Sequence, residues 1–300
     1  MSDVIIEDPR MADLVAPDAR LEKLWTGATW SEGPVWWEDG GVTWSDIPNN
    51  RMLRWHPDEG GTVFREPSRH TNGHTRDREG RLVSCEHSGR AVSRTEADGT
   101  VVTLVDRYQG KRLNSPNDVV VKSDGTIWFT DPPYGILSDY EGVKADSEIG
   151  ACYVYRFDPE TGELTVVADD FDRPNGLAFS VDEGLLYISD TGRSDAADGP
   201  PHIRVFEVEK GRRLRNGRIF AKVLPGAPDG FRLDVHGNIF TSAHDGIQVY
   251  TPEGERLGKI LVPEIVANCT FGGPEKNRLF ITASTSLYAI DVLTRGLPGR

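Results

Sequence analysis

Six stretches of the sequence repeat one pattern, and this repeat restricts the fold more than any other feature. Each stretch has an oxygen-bearing side chain at its second position and continues through a short, partly apolar run. A polar turn that carries Asp, Gly, Glu or Asn follows, and a second apolar run ends the unit. Two short runs around a tight polar turn predict a β-hairpin. The six stretches are Ser31–Asp46, Thr71–Glu86, Pro116–Asp131, Pro174–Asp190, Pro228–Ala243 and Ala267–Ala283.

Further strand-like segments lie between these hairpins, so each repeat supplies three or four strands. Most repeats begin at intervals near the roughly 40–45 residues that a four-stranded propeller blade occupies. Two intervals are longer because they contain the insertions Asp131–Gly150 and Asp190–His202, which we predict to be loops on one face. The predicted fold is all-β: a six-bladed β-propeller with four-stranded antiparallel blades around a central channel.

The chain contains 32 Gly and 19 Pro residues, which interrupt it too often for long helices. We therefore predict a single propeller domain over residues 21–300, preceded by an N-terminal extension over residues 1–20. A ring of blades has to hide its end edges. Residues 21–27 are expected to supply a strand that completes the last blade beside the C-terminal segment.

The innermost strand of each propeller blade runs along the central channel, so equivalent residues of successive repeats converge on the axis. Every residue at the second position offers a side-chain oxygen, and this pattern predicts a site for Ca²⁺, with Mg²⁺, Mn²⁺ or Zn²⁺ as alternative ions. Asn-Gly and Asp-Gly are also common turn dipeptides, so single members of the set have a second interpretation as turn residues. The six positions are Glu32, Asn72, Asn117, Asn175, Asp229 and Asn268.

Five segments of the sequence carry a family resemblance: Ser31–Trp36, Asn114–Val121, Asp124–Gly135, Arg173–Ser180 and Pro228–Asp234. Together they resemble the senescence-marker-protein/gluconolactonase/luciferin-regenerating-enzyme family, and its bacterial gluconolactonase-like members most of all. The resemblance extends from about Glu32 to Val292 and implies a calcium-dependent six-bladed propeller that opens small lactones.

The resemblance also implies site residues. Glu32, Asn117, Asn175 and Asp229 match the family's metal-binding positions, and Asp229 matches the carboxylate that acts in catalysis. Asn117 can contact metal or substrate. The segments Thr71–His74 and Cys85–His87 match positions near the pocket.

Residues for substrate binding are assigned from their places in the pattern. Asn72 and Asn117 are expected to orient the ring oxygen or the hydroxyl groups of the substrate. His87 follows a strand end near the predicted channel mouth. Arg112 is a candidate for binding a carboxylate or hydroxyl, with a solvated surface role as the alternative. Tyr134 and the loop behind it could cover the pocket, or the loop could be purely structural.

The function predicted from these residues is hydrolysis of a small lactone, an aldonolactone such as gluconolactone. A bound cation would polarise the carbonyl, and Asp229 would activate water as a general base or attack directly. Two alternatives remain open at this point: phosphotriester or fluorophosphate hydrolysis at the same ion, and a propeller that binds a ligand without catalysis.

The charge of the chain bears on its partners. The formal net charge is −13 and the pI is about 5.0, which disfavours nucleic-acid and membrane-surface binding. The beginning of the sequence lacks the pattern of a signal peptide, and three separated cysteines predict reduced thiols in a cytoplasmic protein. The expected partner is a small-molecule lactone, with a homo-oligomer possible.

Overall fold

The computed structural model describes residues 2–297, which form 27 β-strands, a short α-helix α1 (Tyr134–Leu137) and two 3₁₀ helices, Pro9–Asp13 and Gly192–Ser194. The strands of the first half of the chain are β1 (Val4–Ile6), β2 (Glu22–Thr26), β3 (Ser31–Trp36), β4 (Val42–Asp46), β5 (Arg51–His56), β6 (Gly60–Arg65), β7 (Thr71–Arg76), β8 (Leu82–Glu86), β9 (Ala91–Thr95), β10 (Val101–Val105), β11 (Arg107–Tyr108), β12 (Lys111–Arg112), β13 (Val119–Val121) and β14 (Ile127–Asp131). The strands of the second half are β15 (Tyr153–Asp158), β16 (Glu163–Ala168), β17 (Pro174–Phe179), β18 (Leu185–Asp190), β19 (His202–Glu209), β20 (Arg213–Lys222), β21 (Phe231–Leu233), β22 (Ile239–Ala243), β23 (Gly246–Tyr250), β24 (Arg256–Leu261), β25 (Val266–Gly272), β26 (Arg278–Ala283) and β27 (Ser286–Asp291).

Apart from β1 and the separate two-stranded sheet β11–β12, the strands are arranged in six four-stranded antiparallel blades, which confirms the predicted six-bladed propeller. Blades 1 to 5 comprise β3–β6, β7–β10, β13–β16, β17–β20 and β21–β24, and blade 6 comprises β25–β27 together with β2. Each predicted hairpin forms the two inner strands of one blade. The innermost strands β3, β7, β13, β17, β21 and β25 pack against one another in this order around the ring.

The ring closes through a strand from the N-terminal part of the chain. Strand β2 pairs antiparallel with β27, with Glu22 opposite Ala289 and Thr26 opposite Ser286. The prediction that residues 21–27 complete the last blade is therefore confirmed. Pairing the two ends of the chain in one sheet covers the outer edge of β27 and makes ring closure depend on contacts that are distant in sequence.

The segment before β2 also packs on the ring. Strand β1 adds a fifth strand to blade 5 by pairing with β24, and Met11 is fully buried against that blade. The division into an extension over residues 1–20 and one domain over residues 21–300 stays a prediction. Its last three residues, 298–300, lie outside the described residues.

The apolar core lies between neighbouring blades. The second strand of each blade has a blade on either side, so both of its faces are buried and β4, β8, β14, β22 and β26 carry few exposed atoms. Trp44 and Trp128 are completely buried in this layer, and the Trp36 ring stacks on Phe280 with centroids 5.5 Å apart. Such interlocked aromatic contacts hold the blades at a fixed angle and thereby fix the axial residues.

A buried histidine makes the stability of blade 2 dependent on pH. His74 is completely buried, and its ring nitrogens lie 2.8 Å from the hydroxyl oxygens of Ser45 and Ser84. Burial, with a smaller contribution from the positive Arg65, lowers the pKa of His74 to about 3. Below pH 6.5 the unfolded chain binds a proton that the folded protein excludes, so His74 increasingly opposes folding as the pH falls towards 3.

We expect the stability advantage of the wild-type protein over His74→Asn to be about 2 kcal/mol smaller at pH 5.0 than at pH 7.5. Urea unfolding of both proteins in the presence of a chelator measures this difference. The other titrating groups are common to both proteins and cancel. An advantage that is equal at the two pH values would show that His74 is not held neutral by its burial.

Candidate active site

The six residues predicted to converge on the axis do converge. Residues at, beside or paired across from each of the six positions contact the next position around the ring, and the last position contacts the first. The contacts are Gly33 against Asn72 O, Gly73 N–H to Asn117 O, Thr130 Oγ1 to Asn175 O, Ser189 Oγ to Asp229 O, Gly230 N–H to Ala267 O, and Asn268 Nδ2 to Glu32 Oε2. The repeat in the sequence thus produces a closed ring of oxygen-bearing side chains, which we call the axial ring.

Glycines explain how the axial ring can be this tight. A Cβ atom on Gly33 would lie 2.2 Å from the Asn72 carbonyl oxygen, and Gly33 also has a positive φ of 57°. A Cβ atom on Gly176 would lie 2.3 Å from the Asp229 carbonyl oxygen. Both positions require glycine because a neighbouring blade occupies the space of a side chain. The Asn-Gly and Asp-Gly dipeptides therefore serve close approach between blades.

Glu32 is a buried carboxylate of the axial ring. Only 3% of the residue is exposed, and its Oε2 accepts hydrogen bonds from the Gly33 N–H at 2.6 Å and from Asn268 Nδ2 at 3.1 Å. Burial and the nearby Asp118 carboxylate raise the pKa of Glu32 to about 8. Without a cation beside it, this carboxylate is costly to ionise.

Asp229 differs from Glu32 because it is half-buried. Its backbone N–H donates to Ser242 Oγ at 2.8 Å, and its carbonyl oxygen accepts from Ser189, so the position of the residue is fixed from two blades. Burial of the carboxylate and repulsion from Glu32 raise its pKa well above the usual range. A hydrogen bond from the Asn175 side chain opposes this shift.

A cavity of about 370 Å³ opens beside Asp229. Its volume is within the usual range for pockets that hold small organic ligands. The cavity is built from loops of blades 4, 5, 6 and 1, on the face where the axial residues begin their strands. Its lining residues are Trp30, Thr191, Arg193, Ser194, Gly226, Ala227, Asp229, His244, Ile265 and Val266. Asp229 is the one axial-ring carboxylate in this lining, so it can meet both a ligand and water there.

Comparison with known proteins identifies the family. The family described as "SMP-30/Gluconolactonase/LRE-like region" matches this chain over residues 30–285. The chain belongs to this family. A gluconolactonase of Zymomonas mobilis is 35% identical over 96% of this chain and 85% of its own length. A solved gluconolactonase of Xanthomonas campestris is 42% identical, with a TM-score of 0.90 over 96% of this chain and 94% of that chain. A calcium-binding regucalcin of Agrobacterium tumefaciens has a TM-score of 0.75 over 94% of this chain and 98% of that chain, and at 18% identity it shows the shared fold alone.

Family membership confirms the resemblance drawn from the five sequence segments, and the matched region contains all six axial-ring residues. The individual roles of these residues stay predictions. Within residues 2–297, no three His, Cys, Asp or Glu side chains are grouped as a metal site. The predicted metal ligands are two carboxylates, Glu32 and Asp229, and two amides, Asn117 and Asn175. Asparagine is not one of the residue types in that grouping, so the predicted ligand set contributes only two members to it.

His87 lies directly behind the axial ring. It is completely buried, its Nδ1 is 3.0 Å from the Glu141 carbonyl oxygen, and its Nε2 is 3.2 Å from Asn72 Nδ2. Burial lowers the pKa of His87 to about 4, so the ring is neutral at pH 7. A carbonyl oxygen only accepts, so Nδ1 carries the proton and Nε2 accepts from Asn72. His87 thereby leaves the Asn72 amide oxygen free for another partner.

Tyr134 lies where the two insertions of this family member meet. Its hydroxyl is 3.1 Å from Ser194 Oγ, which joins the loop after β14 to the loop after β18. Burial and the negative Asp229 and Asp195 raise the pKa of the phenol, so it is protonated at pH 7. The contact confirms that the two predicted loops lie on one face, and it places Tyr134 near the cavity.

Arg112 is placed differently. Its Nη2 donates to the Gly89 carbonyl oxygen at 2.9 Å, and its backbone N–H donates to Glu148 at 2.8 Å. These contacts hold Arg112 in the loop behind His87 rather than in the axial ring. Its predicted role in substrate binding stays a prediction.

Two acidic residues of the site were missed by the sequence reasoning. Asp118 is 2% exposed, and its Oδ2 has no hydrogen-bond partner although it is buried. Burial raises the pKa of Asp118, and the Arg232 guanidinium, 3.9 Å from Oδ2, partly opposes this. Glu141 is half-buried in the first insertion, and its charge raises the pKa of both Glu32 and Asp229.

Proposed function

We propose that this chain is a lactonase that opens a small sugar lactone, an aldonolactone such as gluconolactone, with a Ca²⁺-type cation. The observation that carries the proposal is the opening of the cavity onto Asp229, while the other axial-ring carboxylate, Glu32, is shielded. Two family members more than 30% identical to this chain are gluconolactonases, which supports the choice of substrate.

The residues present are suited to a cation. Asp118 raises the pKa of Glu32, and both Glu32 and Asp118 raise the pKa of Asp229. The buried Asp118 Oδ2 atom has no hydrogen-bond partner, so the site carries more negative charge than its own hydrogen bonds compensate. Glu32, Asn117, Asn175 and Asp229 would hold the ion. All four offer oxygen and none offers sulfur or imidazole, which favours Ca²⁺ over Zn²⁺. The regucalcin shares only the fold, so the choice of ion rests on these donor atoms.

The cation, when bound, supplies a positive charge that polarises the lactone carbonyl and stabilises negative charge on its oxygen. The chain's own residues handle the proton. The Asp229 carboxylate takes a proton from a water molecule in the cavity while the water oxygen forms a bond to the carbonyl carbon. The bond from that carbon to the ring oxygen then breaks, and Asp229 returns the proton to the ring oxygen. The products are a carboxylic acid and a free hydroxyl group on one open chain.

The amide side chains and the Tyr134 hydroxyl orient the substrate. His87 directs the Asn72 amide oxygen away from itself, so this oxygen can accept a hydrogen bond from a substrate hydroxyl. Protonated Tyr134 can donate to a substrate oxygen near Asp229. Asn117, which is 4% exposed, would bind either the ion or the substrate. Each contact reduces the freedom of the lactone before attack.

The proposal is tested by acid release from gluconolactone in a pH-stat, after subtraction of spontaneous opening. We expect protein treated with a chelator to be nearly inactive and added Ca²⁺ to restore turnover by about 10²-fold or more. A panel of other lactones then ranks the substrates. Full activity in excess chelator would contradict the metal dependence. No turnover with any lactone or ion would favour phosphotriesters or a non-catalytic ligand-binding propeller.

Location and assembly stay predictions. Within residues 2–297, the helices lack the combined length and apolar character that crossing a membrane requires. We keep a cytoplasmic location, the absence of nucleic-acid and membrane partners, and a possible homo-oligomer as expectations that fractionation and light scattering can check.

A further inference from the structure

The cavity beside Asp229 carries basic side chains on its walls although the chain has a net charge of −13. Arg193 enters from the 3₁₀ helix Gly192–Ser194, in the insertion between β18 and β19. His244 enters from the turn between β22 and β23. Asp229 lines the same cavity, so one site contains the candidate catalytic carboxylate and a permanently positive group.

The main chain holds Arg193 in place. The Arg193 N–H donates to the Pro200 carbonyl oxygen at 3.2 Å, across the base of the insertion. A Cβ atom on the preceding Gly192 would lie 2.4 Å from a carboxylate oxygen of Asp172, so the turn packs directly on blade 4. Arg193 is therefore carried by a turn that is closed by the bond to Pro200 and packs on blade 4 through Gly192.

The acidic residue two positions after Arg193 is already engaged. Asp195 forms an ion pair with Arg173 at 2.6 Å and also accepts a hydrogen bond from Ser194 Oγ at 3.2 Å. In the part of the chain that the structure describes, Arg193 forms no ion pair of its own. Its guanidinium is thus available to a ligand in the cavity.

His244 adds a second polar group to this wall. A Cβ atom on Gly226 would lie 2.2 Å from the His244 ring, so the imidazole packs against Gly226. The ring can offer an N–H donor to the cavity in either tautomer. Arg193 therefore offers this cavity a planar fork of donors, and His244 offers it a single donor.

A neutral sugar lactone needs no positive group here, whereas an acidic one does. The Glu32, Asp118, Asp229 and Glu141 carboxylates would repel an anionic substrate unless its charge lies at a compensating cation. A guanidinium binds a carboxylate with two parallel hydrogen bonds and so also fixes its orientation. With its carboxylate on Arg193, such a substrate would extend along the cavity and present its other end to Asp229.

We propose that Arg193, assisted by His244, forms a subsite for a terminal carboxylate, and that the preferred substrates are acidic sugar lactones. This inference rests on the proposed lactonase function and names its substrate class. The carboxylate lies at Arg193 and His244, and the lactone carbonyl lies at Asp229.

A matched pair of substrates tests the subsite. The γ-lactone of gluconic acid ends in a hydroxymethyl group, and the corresponding lactone of glucaric acid ends in a carboxylate. We expect wild-type kcat/KM to be higher for the acidic lactone and to fall by about 10- to 100-fold in Arg193→Gln. The neutral lactone should change by less than about threefold. Arg193→Lys should keep part of the preference, because it keeps the charge but loses the planar fork.

Arg218→Gln is the matched control, since Arg218 is exposed on the outer strand β20 of the same blade and lies outside the cavity lining. It removes the same charge and should leave both rates unchanged. Equal losses for the two lactones in Arg193→Gln, or a wild-type preference for the neutral one, would overturn the subsite while leaving the lactonase function in place. A wild-type protein that opens no lactone would refute the proposed function, and the subsite with it.

Discussion

We expect the replacement of Asp229 by asparagine to lower kcat for gluconolactone by about 10³-fold and to change the affinity for Ca²⁺ by less than about tenfold. Asparagine has nearly the same size and keeps one side-chain oxygen, which can still accept from Asn175 and contact a cation. It cannot take the proton of an attacking water molecule. Initial rates at saturating lactone and Ca²⁺, with calorimetric titration of the ion, separate these two effects.

The control for this substitution is Asp58→Asn. Asp58 has a side chain that is 88% exposed at a surface turn of blade 1, so its removal changes the net charge by the same amount without touching the axial ring. We expect its activity to equal that of the wild type. If Asp229→Asn retains more than about a tenth of the wild-type kcat with the ion bound, Asp229 is not the proton acceptor.

The two possible roles of Asp229 predict different labels in the product. In water enriched in oxygen-18, a general base directs the labelled water oxygen into the product acid in the first turnover. Direct attack by Asp229 would instead form a mixed anhydride with the substrate acyl group and release the ring oxygen as a hydroxyl group. Water attack at the Asp229 carbonyl carbon of that anhydride would then place an unlabelled carboxylate oxygen in the first product and the label in the protein. We expect label in the first product. A cation beside Asp229 weakens the carboxylate as a nucleophile. It weakens Asp229 less as a proton acceptor, because the same site activates the water molecule that gives up the proton. Mass spectrometry of a single turnover measures this.

The parts of this protein that could be predicted from sequence are those that repeat. Each hairpin contains two apolar runs around a polar turn, and six copies of one pattern define both the fold and the position of the axis. The strand that closes the ring, β2, was also predictable, because a ring of blades leaves a strand edge that only a segment outside the repeats can cover.

Asp118 was missed because a local irregularity breaks the alternation of side chains. The inner strands lose regular register just after the axial residue, as between Glu32 and Val35 and between Pro174 and Leu177. In blade 3 regular pairing begins only at Val119, so Asp118 and Asn117 both reach the axis instead of alternating. Period-two reasoning assigns adjacent residues to opposite faces and therefore fails at this point.

The cavity was missed for a different reason. Its walls come from loops of four blades, and only tertiary packing brings Trp30, Arg193 and His244 to one place. Glu141 was missed for the same reason. It lies in a long insertion, and a hydrogen bond from His87 to its carbonyl oxygen positions its backbone there. Loops of this kind carry no periodic signal, so a sequence shows that they exist but not what they face.

Replacing Glu32 by glutamine stabilises the metal-free protein and weakens its stabilisation by Ca²⁺. Without the ion, Glu32 is a buried carboxylate whose pKa is raised to about 8 by burial and by the negative Asp118. Glutamine keeps the shape and an acceptor for the Gly33 N–H but removes the charge. We therefore expect Glu32→Gln to be more stable than the wild type in chelator at pH 9, where the unpaired carboxylate is ionised.

With the ion present the order reverses, because a carboxylate ligand is worth more to Ca²⁺ than an amide. A 100-fold weaker Kd would remove about 2.7 kcal/mol of stabilisation at saturating Ca²⁺. Thermal unfolding of wild type, Glu32→Gln and the exposed control Glu59→Gln, each in chelator and in Ca²⁺, measures both effects. The control should follow the wild type in both conditions. If Ca²⁺ raises the Tm of Glu32→Gln as much as that of the wild type, Glu32 does not hold the ion. The raised pKa of Glu32 would then need another functional explanation.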